Sequence, residues 1–283
     1  MNRFTNVFKS TMLLTGLTLL VVFIGQALGG SGGMVIALGF ALVMNGVSYW
    51  YSDKIAIKMT RSRPVSREEQ PYLYEMVEKL TQRANLPMPK LYMTPSAQPN
   101  AFATGRDPQH AAVAVTEGIM QVLNKEELEG VLAHELAHVK NRDIFIATLA
   151  AVMAGVISTL ANMAQWALMF GGLGGNNDEE GSSGLAALPL IILGPIAALL
   201  VQMALSRSRE YLADATGAEI AGNPNGLANA LQKLQMASQR IPMDVSPATS
   251  HLFIVNPFSG RKMMNLFSTH PPMEDRVKKL LSM

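Results

Sequence analysis

Residues 131–139 read Val-Leu-Ala-His-Glu-Leu-Ala-His-Val, and in this stretch two histidines stand four positions apart. Residues four apart on an α-helix lie one turn above each other on the same face, so His134 and His138 can direct their imidazoles at one metal ion. Glu135 points away from that axis, where a carboxylate can accept a proton from a metal-activated water. We therefore predict a zinc site with His134 and His138 as ligands and Glu135 as general base. The alternative is a pair of exposed helix histidines that bind no metal.

A helix around this motif is predicted by its capping residues and its apolar spacing. Asn124 is a natural N-cap, and Glu127, three residues on, completes a relative of the capping box with Asn in place of Ser or Thr. Apolar residues then recur at helical spacing, namely Leu128, Val131, Leu132, Leu136 and Val139. Because neither Gly nor Pro lies between His138 and Ile144, we expect the helix to continue without a break into the apolar segment that follows.

Four apolar segments contain no charged residue and are each long enough to cross about 30 Å of hydrocarbon. They comprise residues 11–28, 34–51, 144–170 and 185–205. We predict four transmembrane helices, paired as hairpins over 11–51 and 144–205, with the Gly-rich run 29–33 as a tight connector. For the third and fourth segments, the alternative is a pair of buried core helices.

The distribution of Lys and Arg predicts the orientation of these spans. The loops within the two hairpins, 29–33 and 171–184, contain neither residue, whereas basic residues lie at the opposite end of every span. By the positive-inside rule, both termini and the histidine motif face the cytoplasm. Outside the spans we therefore expect a cytoplasmic N-terminus (1–10) and two cytoplasmic catalytic parts (52–143 and 206–283).

Cysteine usage and net charge exclude several classes of protein. The chain has no Cys and a formal net charge of +2. A disulfide framework and thiolate zinc ligands are thereby excluded, and the charge is too small to indicate binding to nucleic acid. The lipid bilayer is a partner that the apolar segments predict, whereas no pattern in the sequence specifies an oligomeric state.

A small antiparallel sheet is predicted ahead of the zinc helix. An amphipathic helix over 67–84 is followed by short strands at 90–93, 100–104 and 111–116, which are separated by turns that contain Pro or Gly. An exposed edge strand can bind an extended polypeptide through main-chain hydrogen bonds. The predicted sheet therefore offers a binding edge for a peptide beside the metal.

A third metal ligand is predicted after the fourth apolar segment. Two histidines leave a tetrahedral zinc one protein ligand short if water is to hold the last position, and Glu210 can supply that ligand. Antiparallel third and fourth spans would bring Glu210 next to the zinc helix. Asp214, four residues on, lies on the same helical face and can accept the N–H of a zinc histidine. The alternative is that Glu210 pairs with Arg207 or Arg209 at the membrane surface.

These motifs, in this order, resemble the HtpX family of membrane-bound zinc metalloproteases, which is related to the CAAX prenyl endoprotease. The segments that match are Asn100–Gly105, His134–His138, Arg209–Asp214 and His270–Pro272 with Glu274 and Arg276. The resemblance covers essentially the whole chain. It implies a mainly α integral membrane protein of the bacterial inner membrane, with four transmembrane helices and a cytoplasmic α+β zincin-like catalytic domain.

The resemblance also implies roles that the residues alone do not. Asn100, Ala101 and Phe102 resemble the edge-strand segment that holds the substrate backbone. His270 resembles a family histidine that stabilises the oxyanion or approaches the metal, and Arg276 resembles its neighbouring arginine. Without the resemblance, His270 reads as the flank of a C-terminal helix. The irregular stretch 238–268, rich in Pro, Met and Phe, matches nothing.

The activity predicted from these features is zinc-dependent endoproteolysis. Placement of the site at the membrane surface favours membrane proteins as substrates, including misfolded or damaged ones, and the resemblance adds a role in stress-linked quality control. A site-2-type intramembrane protease is one alternative, although charged residues flank the motif too closely for deep burial in the bilayer. A second alternative is a non-catalytic scaffold or chaperone with a structural zinc, whose fourth ligand would be His270.

Overall fold

The computed structural model of the chain describes residues 3–148, 207–241, 252–255 and 271–283. Three of the predicted features lie outside the described residues, wholly or for the most part. They are the third and fourth spans, the irregular stretch 238–268, and His270. The described residues comprise an N-terminal helical segment, a sheet, and the helices around the histidine motif.

The N-terminal helical segment α1 (Arg3–Met59) reverses its direction near Gly30. Gly30 has φ 58°, in the left-handed region that glycine adopts without a Cβ penalty. Thr18 Oγ1 accepts a hydrogen bond from Asn45 Nδ2 at 2.8 Å. In a straight helix these two residues would be about 40 Å apart, so the two arms of α1 lie antiparallel to each other.

The second arm of α1, Gly30–Met59, is long and apolar enough to cross a membrane, and no other helix among the described residues is. Its side chains Val35 and Ile36 are 65% and 75% exposed. Exposed apolar side chains of this kind are rare on the surface of a soluble monomer. The predicted spans 11–28 and 34–51 fall in the two arms.

Four strands form one sheet in the spatial order β1-β2-β4-β3. They are β1 (Arg63–Pro64), β2 (Lys90–Thr94), β3 (Ala101–Thr104) and β4 (Ala112–Thr116). β4 pairs antiparallel with β3 but parallel with β2, so the sheet is mixed and the prediction of a purely antiparallel sheet is wrong. The reason is the path of the chain, which leaves β2, forms β3 at the far edge and returns as β4 between them.

Six α-helices are described after β1, and the central one, α4, carries the histidine motif. They are α2 (Pro71–Ala84), α3 (Glu117–Val122), α4 (Lys125–Lys140), α5 (Arg207–Ala221), α6 (Pro224–Arg240) and α7 (Met273–Leu281). α4 contacts α2, α5, α6 and β3, and its Leu128, Leu132 and Leu136 are buried in the core. The motif therefore lies at the centre of the packed domain and cannot move independently of it.

Helix α2 begins at Pro71, four residues later than the start predicted at residue 67. Ser66 and Glu69 do form reciprocal capping bonds, with the Glu69 N–H donating to Ser66 Oγ at 3.3 Å and the Ser66 N–H donating to Glu69 Oε2 at 3.0 Å. Gln70, however, has φ −135° and ψ 62°, outside the helical region. Because Gln70 precedes Pro71, the α conformation is disfavoured there. The capped turn and α2 are consequently separate.

Helix α4 ends at Lys140, so the prediction that it continues without a break into the next apolar segment is wrong. Arg142 adopts φ 58°, a left-handed conformation that is uncommon for residues other than glycine. The Asp143 N–H then donates to His138 O at 3.2 Å and closes the turn. Helical structure resumes at 144 and is described as far as 148. This turn therefore ends the helix, although the sequence has neither Gly nor Pro at this point.

Candidate metal centre

Helix α4 presents two histidines on one buried face. Its start is fixed by the predicted capping box, in which the Glu127 N–H donates to Asn124 Oδ1 at 3.0 Å and the Asn124 N–H donates to Glu127 Oε2 at 2.9 Å. Farther along, His134 and His138 bring their Nε2 atoms to 3.2 Å. His134 is only 1% exposed, so the alternative of two solvent-exposed histidines is excluded.

Glu210, on α5, completes a group of three side chains that can hold one metal ion. Its Oε2 lies 3.8 Å from His134 Nε2, and its Oε1 lies 3.7 Å from His138 Nε2. The ligand atoms of the three side chains all lie within 4.8 Å of one another. Glu210 is buried against the histidines, whereas Arg207, its alternative surface partner, is exposed.

The donor set and its spacing fit a metal ion. Zinc binds imidazole nitrogens at about 2.0–2.1 Å with tetrahedral angles, which separates two such nitrogens by roughly 3.3 Å. The two histidine Nε2 atoms are 3.2 Å apart. When each imidazole carries its proton on Nδ1, the two Nε2 atoms present lone pairs to each other, and a metal ion between them satisfies both. Two nitrogens and one carboxylate leave a fourth position for water or substrate.

Asp214, one turn after Glu210, lies behind His134. Its Oδ1 is 3.0 Å from His134 Nδ1, although the contact lacks the angle of a hydrogen bond. Arg276, from α7, donates to both oxygens of Asp214, from Nε at 2.8 Å and from Nη2 at 2.7 Å. Burial raises the pKa of Asp214, but the attraction and hydrogen bonds of Arg276 prevail and lower it to about 2. Asp214 therefore stays ionised against the histidine.

Glu135 is buried on the opposite side of the group, with 3% of its surface exposed. Burial raises its pKa to about 7, and the nearby Glu210 adds to that rise, while His138, the Ala103 N–H and Arg276 oppose it. A general base works best when its pKa lies near the operating pH. The environment of Glu135 thus suits a group that accepts and returns a proton near neutrality.

Asp143 belongs to this site, although no sequence pattern marks it. Its Oδ1 and Oδ2 lie 3.1 Å and 3.2 Å from His138 Nδ1. Burial lowers the pKa of His138, but attraction by Asp143 and the hydrogen bond to it prevail and raise that pKa to about 10. Five residues of continuous helix would direct Asp143 away from His138. Only the turn at the end of α4 brings the two together.

The residues predicted to bind substrate lie at the edge of the sheet, and they are Asn100, Ala101 and Phe102. All three contact the segment 252–255. Asn100 Nδ2 donates to Val255 O at 2.9 Å, and the Ile254 N–H donates to Ala101 O at 3.2 Å. The rings of Phe102 and Phe253 pack edge to face with centroids 5.3 Å apart. This part of the edge is therefore paired with the chain itself.

Comparisons with known proteins agree with this geometry. A model of peptidase family M48 matches residues 67–283. A protease HtpX homolog of Desulforapulum autotrophicum is 58% identical over 275 residues, which are 97% of this chain and 89% of that protein. The corresponding homolog of Pelotomaculum thermopropionicum is 59% identical over 278 residues, 98% of this chain and 99% of that protein. The homolog of Pyrococcus furiosus is 52% identical over 273 residues, which are 96% of this chain and 94% of that protein.

A solved structure, the crystal structure of S. mikatae Ste24p, has a similar fold. The match has a TM-score of 0.54 and covers 98% of this chain and 66% of that longer protein, at 18% sequence identity. Identity this low shows the fold alone. Because the family model extends over residues 67–283 and the relatives align over nearly the whole chain, this protein belongs to peptidase family M48 and is an HtpX-type membrane metalloprotease.

Proposed function

We propose that this protein is a zinc endopeptidase of the bacterial inner membrane that cleaves misfolded or damaged membrane proteins in stress-linked quality control. It crosses the bilayer four times and keeps both termini and the active site at the cytoplasmic face. Support comes from the family membership, from the apolar second arm of α1, and from the absence of Lys and Arg in the loops 29–33 and 171–184.

One observation carries the activity, namely the convergence of three ligand side chains beside a buried glutamate. His134, His138 and Glu210 hold the zinc, which when bound supplies Lewis acidity toward a water molecule and the scissile carbonyl. Glu135 accepts a proton from that water and later donates it to the amine nitrogen of the leaving peptide. Burial raises the pKa of Glu135 to about 7 in the metal-free site, and the positive charge of a bound metal would lower it, so that the carboxylate is ionised and able to accept a proton at neutral pH.

Two further residues support these groups. Arg276 keeps Asp214 ionised beside His134, so the imidazole is held by a charged partner. His270 is assigned from the resemblance alone, as a residue that stabilises the oxyanion or approaches the metal. In the sequence His270 comes three positions before Met273, the first residue of α7.

An extended polypeptide is proposed to bind along β3. Ala103 directs its backbone N–H at Glu135, so the strand lies directly beside the general base. Main-chain hydrogen bonds do not depend on the side chains of the substrate, which fits a protease that accepts many unfolded segments. At Asn100 and Ala101 a substrate has to displace the segment 252–255 or bind next to it.

The proposal is tested by the zinc content and casein cleavage of detergent-purified protein. We expect wild-type protein to bind one zinc and to cleave casein. Glu135→Gln should keep the zinc and lose cleavage by at least about 10³-fold, because the base is removed while the ligands remain. Glu210→Ala should bind zinc more weakly, because one of three protein ligands is lost. Cleavage by Glu135→Gln at the wild-type rate would rule out the assignment of the base.

The same experiment distinguishes the non-catalytic alternative. Stoichiometric zinc without cleavage in any sample would indicate a structural metal site in a scaffold or chaperone. Zinc content close to zero in wild-type protein that still cleaves casein would contradict the zinc assignment itself.

A further inference from the structure

The turn at the end of α4 holds the side chain of Asp143 against a metal ligand. Arg142 takes up the left-handed conformation, and the Asp143 N–H returns to His138 O at 3.2 Å. This conformation is strained for a residue other than glycine. Such local strain persists where the surrounding structure fixes it, and functional sites are where it concentrates.

Asp143 is also the residue that precedes the helix at 144–148, since its carbonyl accepts the Ala147 N–H at 3.3 Å. An aspartate at such an N-cap position usually accepts hydrogen bonds from the first backbone N–H groups of the helix. Within the described part of the chain, its carboxylate is instead hydrogen-bonded to His138 Nδ1, at 3.1 Å and 3.2 Å. The carboxylate therefore binds the histidine and does not cap the helix.

A buried arginine accompanies this carboxylate. Arg209 is 4% exposed, and its guanidinium is attracted to Asp143 and to Glu210. The arrangement partly resembles the one on the other histidine, where Asp214 contacts His134 and accepts two hydrogen bonds from Arg276, although Arg209 interacts with Asp143 through charge alone. Each zinc histidine thus has a buried carboxylate at Nδ1, and each carboxylate has a buried arginine nearby.

We propose that Asp143 is a positioning residue of the metal centre, which fixes the ring of His138 so that Nε2 faces the metal. The inference rests on the zinc site proposed above. Carboxylates that hold the second nitrogen of a metal-bound histidine set its tautomer and orientation, and their loss typically weakens metal binding by about 10- to 100-fold. A purely structural role, as N-cap of the following helix, is the competing explanation.

Two substitutions of the full-length protein separate these explanations. Asp143→Ser keeps an N-cap residue but is too short to reach His138 and carries no charge. Asp143→Asn keeps the length of the side chain and one acceptor oxygen, and removes only the negative charge. The matched control is Asp107→Ser, because Asp107 likewise precedes a helical turn and contacts a histidine, with its Oδ1 2.7 Å from His110 Nδ1, but lies outside the ligand group.

The measurements are zinc affinity by competition with a chelator, the melting temperature of the metal-free protein, and the visible spectrum of the cobalt-substituted protein. We expect Asp143→Ser to bind zinc about 10- to 100-fold more weakly, with an altered cobalt spectrum. Its metal-free melting temperature should fall, because the buried pair with His138 is lost, while a cooperative transition shows that the variant still folds. Asp143→Asn should lie between the two, as a partial rescue. Asp107→Ser should bind zinc as wild type does.

Zinc affinity and cobalt spectrum unchanged in Asp143→Ser would overturn the inference and leave the zinc site intact. Wild-type protein that binds no zinc would overturn the proposed zinc site, and this inference with it. If Asp143→Ser does not fold, Asp143→Asn decides, because wild-type affinity in that variant together with a wild-type cobalt spectrum would equally overturn the positioning role.

Discussion

Two carboxylates that lie within one metal centre have pKa values shifted in opposite directions. Burial raises the pKa of Glu135 to about 7, whereas Asp214, also buried, has its pKa lowered to about 2. The pKa values differ because Arg276 donates two hydrogen bonds to Asp214, whereas it acts on Glu135 only through a weaker electrostatic attraction. Opposite shifts of this kind fit the roles proposed for the two residues, with Glu135 as proton carrier and Asp214 as fixed charge.

The raised pKa of Glu135 predicts a pH-dependent stability of the metal-free protein. Its folded-state pKa of about 7 lies above the ordinary value of 4.5, so the folded state binds more protons between these values and stability falls as pH rises through that window. Glu135→Gln removes this proton binding. The melting temperatures of the two proteins should therefore diverge in favour of Glu135→Gln from pH 5 to pH 8, by the equivalent of roughly 3 kcal/mol.

The measurement is thermal unfolding in detergent with a chelator present, at intervals across that pH range. The pKa of His138 is also raised, partly by Glu135, so His138 lowers the stability of the folded state as pH rises and does so less in Glu135→Gln. The difference between the two proteins therefore reports on Glu135 together with its coupling to His138, and both contributions favour Glu135→Gln at higher pH. Parallel curves would contradict the shift. With zinc bound, the added positive charge lowers the pKa of Glu135 and should reduce the divergence.

At the scale of the elements, the position of α5 on α4 depends on one glycine. A Cβ on Gly217 would lie 2.9 Å from the backbone N and Cα of His134. Gly217 is on the same helix as Glu210 and Asp214, so any displacement of α5 moves both carboxylates away from the histidines. The close approach of the helices and the geometry of the metal group are therefore linked.

We expect Gly217→Ala to weaken zinc binding by about 10-fold or more, because α5 must shift by several tenths of an ångström, even though Ala favours the helix itself by roughly 1 kcal/mol. The check is zinc affinity by chelator competition. Glu219→Ala, at an exposed position on the same helix, is the control and should leave affinity unchanged. Wild-type affinity in Gly217→Ala would show that α5 can rotate without cost to the ligands.

Sequence patterns predicted those parts of the structure that are encoded locally. The capping box of α4 and the helical spacing that aligns His134 with His138 both follow from neighbouring residues, and both are present. The end of α4 was not predictable, because the residue that adopts the left-handed conformation there is Arg142, and neither glycine nor proline marks the position. The mixed sheet was not predictable either, since the order of strands in space depends on where β4 inserts.

The same distinction applies to the site. Glu210 was predictable because the ligand count and the expected antiparallel spans both require it. Asp143 was missed because a tertiary turn, and not a helical period, places it on His138. Arg276 was identified by resemblance only, since its contact with Asp214 joins positions 62 residues apart and no local rule connects them.

At the scale of the whole molecule, the proposed topology can be tested directly because the chain has no cysteine. Single cysteines introduced at Ser31 and Ser182 should react with a membrane-impermeant maleimide in intact cells, because both loops are proposed to lie outside the cytoplasm. Cysteines at Ser66 and Ser282, proposed to be cytoplasmic, should react only after the membrane is opened. Labelling of all four in intact cells would contradict the four-span arrangement.

The contribution of Arg276 to the centre has a consequence for the time at which the enzyme forms during its synthesis. Arg276 is translated 62 residues after Asp214, and at about 5–20 residues per second the delay is on the order of 3–12 s. During that interval Asp214 faces His134 without its counter-ion, which leaves a buried charge unpaired. The three metal ligands are therefore synthesised before Arg276, and Asp214 gains its counter-ion only when α7 docks.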